Sequence, residues 1–241
     1  MYLRLSEVNP TLAQQGISEL DVNAAEFLSY EESAKINYIS QGGNTNPLFS
    51  AIQELGSTQN LVASATTIDY MSDANINDPR MEVLYQPALN GSYVGLPQGL
   101  YTASASTPTA YPGLITGGYA ADEASALAPV VFLSGSESFF LQSEAAARGW
   151  LASADAQLNY EAGIEESFTT LGFTPTDISD YIAQTAIAYP AAGTTQDKIK
   201  AIITQKWLSL CGTEGIEAWA EWRRTGYPDF FVVSANSLLG P

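Results

Sequence analysis

The sequence contains no histidine, a single cysteine, and only 9 lysines and arginines against 26 aspartates and glutamates, a formal net charge of −17. Each scarcity closes off a class of chemistry. Without imidazole there is no Ser-His-Asp or Cys-His machinery, and no zinc site built on histidine. Cys211 lacks a partner for an internal disulfide and, at the apolar end of a helical stretch, reads as a small core residue. So few cations argue against nucleic acid, whose phosphates need clustered lysine and arginine, and against a polybasic grip on anionic lipid. No run of about 18 apolar residues reads as a membrane-spanning helix, and neither a signal peptide nor a lipobox follows Met1. Neutral ligands such as sugars, and cationic ones, remain compatible with the charge.

What is present points to a globular protein. Hydrophobic residues make up 46% of the chain, and a chain of this length buries roughly 70–75% of its unfolded surface. Three regions differ in texture. Residues 1–71 read as mixed and partly helical: an apolar-polar alternation over 2–11 suggests a strand or extended arm, and Ala24, Ala25, Phe27, Leu28, Ala34, Ile36 and Ile39 suggest one or two helices over 20–40. The run 41–47, Gln-Gly-Gly-Asn-Thr-Asn-Pro, is a loop. Residues 72–135 are dominated by Gly, Pro, Ser, Thr and Tyr, with short strands predicted at 81–86 and 128–133. A loop segment this long inside a globular chain more often carries function than none. Residues 136–241 read as helical hairpins. Ser136 and Thr176 are predicted caps, Gly149 and Gly172 mark corners, and Thr194 with Asp197 forms a capping box.

The most specific stretch is 206–228, KWLSLCGTEGIEAWAEWRRTGYP. Ile199, Ile202, Ile203, Trp207 and Leu210 recur at helical spacing before a Cys-Gly-Thr corner. After it, Ile216, Trp219, Ala220 and Arg223 share a face of a second helix that Gly226 and Pro228 end. Core packing is the plain reading for Trp150, Trp207 and Trp219, with Trp222 off the apolar face.

These residues carry a resemblance. Gln205-Lys206-Trp207, Gly215 through Trp219 and Arg223 through Pro228 resemble the C-terminal region of SusD-like proteins. So do Glu137 through Leu141 with Glu144, Arg148 and Trp150, and Asp78-Pro79-Arg80 with Tyr93, Gly95 and Gly99 downstream. The resemblance implies a mainly α, SusD-like fold of tetratricopeptide-like hairpins with long irregular loops and a few short strands. It corresponds to the second half of a family member, since the family is usually about twice this length. It further implies a surface-exposed lipoprotein of the outer membrane. Such a protein captures oligosaccharide, without catalysis, for a SusC-like TonB-dependent transporter; its lipid anchor would lie in the half not matched. No cofactor and no nucleic acid are implied. Because binding residues in this family vary with substrate, none carries over by motif, and residues 78–80, 137–150 and 205–228 read as scaffold.

Site candidates therefore rest on residue chemistry. A sugar presents apolar C–H faces and a rim of hydroxyls, matched by flat aromatic rings and amide or carboxylate groups. Asn44, Asn46, Tyr93, Tyr101 and Tyr111 offer these in loops beside Gly and Ser, although for any single tyrosine a ring packed on the frame explains it as well. Asp73 through Asp78 mimics the start of a calcium loop, but Asp78 stands where glycine is needed and Leu84 where a bidentate glutamate is needed; an Asx-rich turn explains the same residues. A two-carboxylate glycosidase is a weaker reading, because Glu161, Glu165, Glu166, Glu214, Glu217 and Glu221 have the spacing of solvated helix faces. A scaffold or peptide-docking protein without glycan binding is the third.

Overall fold

The computed structural model describes residues 1–39, 43–56, 58–98 and 108–232. The chain divides into two compact units: Met1–Ala34 with Val131–Asp229, and Lys35–Val130 with the segment that begins at Phe230.

The first unit is helical: α1 (Pro10–Val22), α5 (Gly135–Ala147), α6 (Ala156–Thr170), α7 (Pro175–Ile182), α8 (Thr195–Ser209) and α9 (Gly215–Thr225). Local chemistry sets the starts. Asn9 caps α1 ahead of Pro10, and Ser134 rather than Ser136 caps α5. Thr174, not Thr176, opens α7, because Pro175 takes the first helical position and Asp177 closes a capping box; Thr194 and Asp197 do the same for α8. Left-handed Gly226 ends α9, with Arg223 and Arg224 in its last turn. Residues 2–11 are not a strand: a 3₁₀ turn at Tyr2–Leu5 leads into α1. Nor are 20–40 mainly helical, since α1 stops at Val22 and the chain runs irregularly to β1 (Ala34–Ile36).

The core of this unit is aromatic and aliphatic. Phe140, Tyr160, Ile164, Phe168, Tyr181, Ile202 and Ile203 are buried between α5, α6, α7 and α8, with the Phe168 and Tyr181 rings 4.8 Å apart. Buried hydroxyls find acceptors: Tyr160 donates to the Ile187 carbonyl at 2.6 Å, Ser136 to that of Gly163 at 2.7 Å and Ser143 to that of Ala156 at 2.6 Å. Helices α5 and α6 approach closely at Gly163, where a Cβ would lie 2.9 Å from the Phe140 ring.

The second unit has little regular structure: α2 (Pro47–Glu54), α3 (Ala65–Ser72), a single helical turn α4 (Met81–Leu84), and the two-residue strands β2 (Tyr85–Gln86) and β3 (Tyr111–Pro112). The strand expected over 81–86 is thus helix as far as Leu84, while β4 (Val130–Leu133) lies where a strand was expected. Helix α3 forms despite its threonines because Thr67, Ile68 and Met71 are buried. Alanine dominates the rest of the core, at 63, 88, 110, 120, 126 and 128, beside Phe49, Ile52 and Leu84. Side-chain amides stand in for a sheet ladder. Gln59 donates to the carbonyls of Leu61 at 2.8 Å and Gly118 at 3.0 Å and accepts from the Ala120 N–H at 2.7 Å. The Asp78-Pro79-Arg80 motif is a buried clamp: Arg80 is fully enclosed, and its guanidinium donates to Asp78 at 2.6 and 3.0 Å. That commits the Asp78 carboxylate to an arginine, while Asn75 closes an Asx turn on Asp73 at 2.8 Å.

Candidate functional site

Tyrosine chemistry gathers in the second unit. Strands β2 and β3 are antiparallel, pairing Tyr85 with Pro112 and Gln86 with Tyr111. A tight turn precedes Tyr93: Gly91 is left-handed, the Ser92 hydroxyl donates to Asn90 Oδ1 at 2.7 Å, and the Ala88 N–H donates to the Ser92 carbonyl at 2.9 Å. From there the chain runs extended beside the strand that leads into β3, where the Ala110 N–H donates to the Val94 carbonyl at 2.8 Å. Tyr93 and Tyr111 therefore flank one main-chain bridge. Gly95 lets the segment pass against α3, since a Cβ there would collide with the main chain of Ala65. The Tyr111 ring meets Tyr119 at 6.0 Å with a 33° tilt. All three tyrosines are half-buried. Burial, with Glu82 nearby, pushes the Tyr93 phenol up, so it is neutral at physiological pH and keeps its proton to donate. Exposed Gln98, which accepts from Ser64 at 2.8 Å, and exposed Asn90 lie in the same loops.

The five residues nominated from sequence separate accordingly. Tyr93 and Tyr111 each adjoin a residue of one main-chain bridge, Val94 and Ala110. Tyr101 lies outside the described residues. Asn44 is exposed, and among the described residues no hydrogen bond joins its side chain to the tyrosines. Asn46 is corrected: it is 3% exposed, caps α2 through Oδ1 (Leu48 N–H at 2.9 Å, Phe49 N–H at 3.3 Å) and donates from Nδ2 to the Ala128 carbonyl at 2.8 Å. Both ends of its amide hold the fold. Tyr119, not among the five, joins the candidate surface through its ring contact with Tyr111; Gly117 and Gly118 just before it leave room for the Asn46 amide and for Pro112.

The first unit holds two further features. A cleft of about 490 Å³ is lined by Tyr2, Leu20, Phe27, Leu133, Leu141 and Ala145, with Glu26, Glu32, Ser138 and Gln142 among its polar groups. Separately, a buried charge network joins α5, α8 and α9. Arg224 forks onto Glu144 at 2.7 and 2.6 Å and also reaches Glu221 and Ser6. Arg148 donates to Glu144 at 2.8 Å, and the Lys206 ammonium lies 3.0 Å from Glu137 and 3.7 Å from Glu221. Burial first, and then the neighbouring Glu137 carboxylate, pushes Glu214 up to about 8.

This overturns the reading of these acids as a solvated face: Glu214 and Glu221 are buried, as is Glu166 on α6. Helix α9 is turned inside out. Its inward row is Glu214, Glu221 and Arg224, while Ile216 and Trp219 are 86% and 56% exposed, Trp219 with Arg223 5.1 Å over its ring. Trp219 is therefore not a core residue. Carboxylates spent on Arg224, Arg148 and Lys206 inside the frame are arranged to hold helices, not to flank a scissile bond.

A family model described as starch-binding and associating with the outer membrane, the SusD-like family, matches residues 1–238. A chitin-binding SusD homolog from Flavobacterium johnsoniae superposes with a TM-score of 0.75 at 27% identity, covering 98% of this chain and 51% of its own. A SusD homolog from Bacteroides vulgatus gives 0.73 at 28% identity, covering 98% of this chain and 50% of its own. One from Bacteroides fragilis gives 0.79 at 20% identity, covering 99% and 55%, a likeness of fold alone. This chain spans about half the length of these solved relatives. No functionally curated protein matches it.

Proposed function

The chain belongs to the SusD-like family, with the mainly α architecture of that family, and on that footing we propose that it is the ligand-holding part of a non-catalytic, outer-membrane glycan-capture protein. The observation that carries this is the Tyr93–Tyr111–Tyr119 surface. Half-buried Tyr111 sits on a short β pair with its ring against Tyr119, and half-buried Tyr93 follows a turn that carries an exposed amide. Such rings stack on the apolar faces of pyranoses, while Asn90 and Gln98 meet hydroxyls. A β-linked amino sugar or an α-glucan suits this surface, in keeping with the chitin-binding homolog and the starch-binding description of the family. The same reading gives the captured sugar to a SusC-like TonB-dependent transporter at the cell surface, with membrane attachment through a lipid anchor.

Calorimetric titration with chito- and malto-oligosaccharides tests it. Saturable heat without new reducing ends, weakened about tenfold in Tyr111→Ala, supports capture. Released reducing ends point to a glycosidase, and silence across both series to a docking scaffold.

A further inference from the structure

Asn90-Gly91 is the one Asn-Gly pair in the sequence, and the fold sets it at the tip of a tight turn. The Ala88 N–H donates to the Ser92 carbonyl at 2.9 Å, and the Gly91 N–H to the Ala88 carbonyl at 2.8 Å. Left-handed Gly91, with φ 79°, closes that three-residue loop. Asparagine before glycine has a reaction of its own, in which the next main-chain nitrogen attacks the side-chain amide carbon. Glycine permits it because no side chain crowds that nitrogen, and here even a Cβ would meet nothing within 4 Å. The attack needs the Gly91–Ala88 hydrogen bond to open. Leu89 is 94% exposed and Asn90 and Gly91 are exposed, so no packed group resists that local opening.

Ser92 distinguishes this pair from an Asn-Gly in a plain loop. Its N–H donates to Asn90 Oδ1 at 3.1 Å, and its hydroxyl donates to the same oxygen at 2.7 Å. Negative charge develops on that oxygen as the nitrogen closes on the carbon, so two donors aimed at it lower the barrier. We propose that this turn is a site of self-deamidation, in which the Gly91 nitrogen cyclises onto Asn90 Cγ and Ser92 steadies the oxyanion. The Gly91 N–Cγ bond forms, the Cγ–Nδ2 bond breaks, and Nδ2 leaves as ammonia with the proton that Gly91 gives up. Water then opens the succinimide at either carbonyl, yielding aspartate or isoaspartate. Isoaspartate routes the main chain through Cβ and Cγ, one carbon longer, which breaks the pairing of Ala88 with Ser92 and displaces Tyr93.

The test incubates the 241-residue chain for several weeks at neutral pH and body temperature. Mass spectrometry reads a gain of one dalton, fragmentation locates it, and an isoaspartyl methyltransferase labels the isoaspartyl product. Position 90 is expected to convert, and Asn90→Gln, whose ring closure is slower, is expected to stay unchanged there. Ser92→Ala keeps the N–H but loses the hydroxyl, and is expected to slow conversion of the folded chain about threefold. Ser92→Thr, which keeps the hydroxyl, is expected to convert like the unsubstituted chain. In guanidinium chloride, where the turn is gone, all three chains are expected to convert alike. Circular dichroism checks that each variant is folded. No conversion at position 90 of the folded chain overturns the assignment. So do equal folded-state rates with and without the Ser92 hydroxyl, because the dipeptide alone would then react. The effect on sugar binding rests on the glycan reading: the isoaspartyl chain is expected to lose the calorimetric heat of fresh protein, and unchanged heat overturns the displacement of Tyr93. Silence of fresh protein as well counts against the glycan reading, while the mass change still decides the modification.

Discussion

The two units solve the same problem with different materials. In the first, long side chains do the joining: Phe140, Phe168 and Tyr181 fill the space between helices, and Arg224 and Lys206 hold buried acids. In the second, the main chain itself comes close. An alanine core, the bridge between Ala110 and Val94 and the threading amide of Gln59 leave little for side-chain volume to fill. The tyrosines at 93, 111 and 119 are left half-buried there rather than sealed in the core. The lesson is that the unit with the weaker periodicity packs main chain against main chain, while exposed rings such as Trp219 and Phe132 stand on the helical one.

The contrast can be broken in order of expected effect. Arg224→Met should cost about 3 kcal/mol, because it leaves buried Glu144 to Arg148 alone and buried Glu221 with Lys206 at 3.7 Å. Urea unfolding measures the loss, and adding Glu144→Gln should restore part of it. A pair of glycine substitutions comes next. Gly163→Ala presses on the Phe140 ring, whose side chain can pivot, and should cost about 1–3 kcal/mol with oligosaccharide heat unchanged. Gly95→Ala presses on the main chain of Ala65, which has less room to yield, and should abolish the calorimetric signal by displacing Tyr93. If Gly163→Ala removed binding and Gly95→Ala did not, the division of labour between the units would be wrong.

A third prediction concerns pH. Glu214 titrates near 4.5 when unfolded and about 8 when folded. Across that window the folded chain keeps a proton that the unfolded chain gives up. Its contribution is full below about pH 4.5 and is lost as pH rises through about 8. The Tm difference between the unsubstituted chain and Glu214→Gln, whose amide cannot ionise, should therefore move in favour of the glutamine from pH 5 to 9. Smallest is Thr194→Ala, which opens the α8 capping box and should cost about 1 kcal/mol by the same urea measurement.

Much of the frame was legible because local rules decide it. Thr194 with Asp197, the stops at Gly172, Gly212 and Gly226, and the apolar row Ile199, Ile202, Ile203 are written in adjacent residues. What failed depended on partners far along the chain. Nothing near Trp219 announces that Arg224 will meet Glu144, 80 positions away, and so turn the helix over. Phe27 and Leu28 look like a helical face, yet they line a cleft whose other wall comes from α5. At the candidate site, residue type was legible and position was not. Asn46 has the chemistry of a sugar ligand and the neighbours of a helix cap, and only the fold reveals which prevails.

The inverted α9 has a mechanical consequence. A greasy seam lets a helix roll by some tens of degrees at small cost, since dispersion has no preferred direction. A guanidinium fork gripping a carboxylate does have one, so α9 is keyed against rotation, and the azimuth at which Trp219 leaves the surface is fixed from within by Glu144.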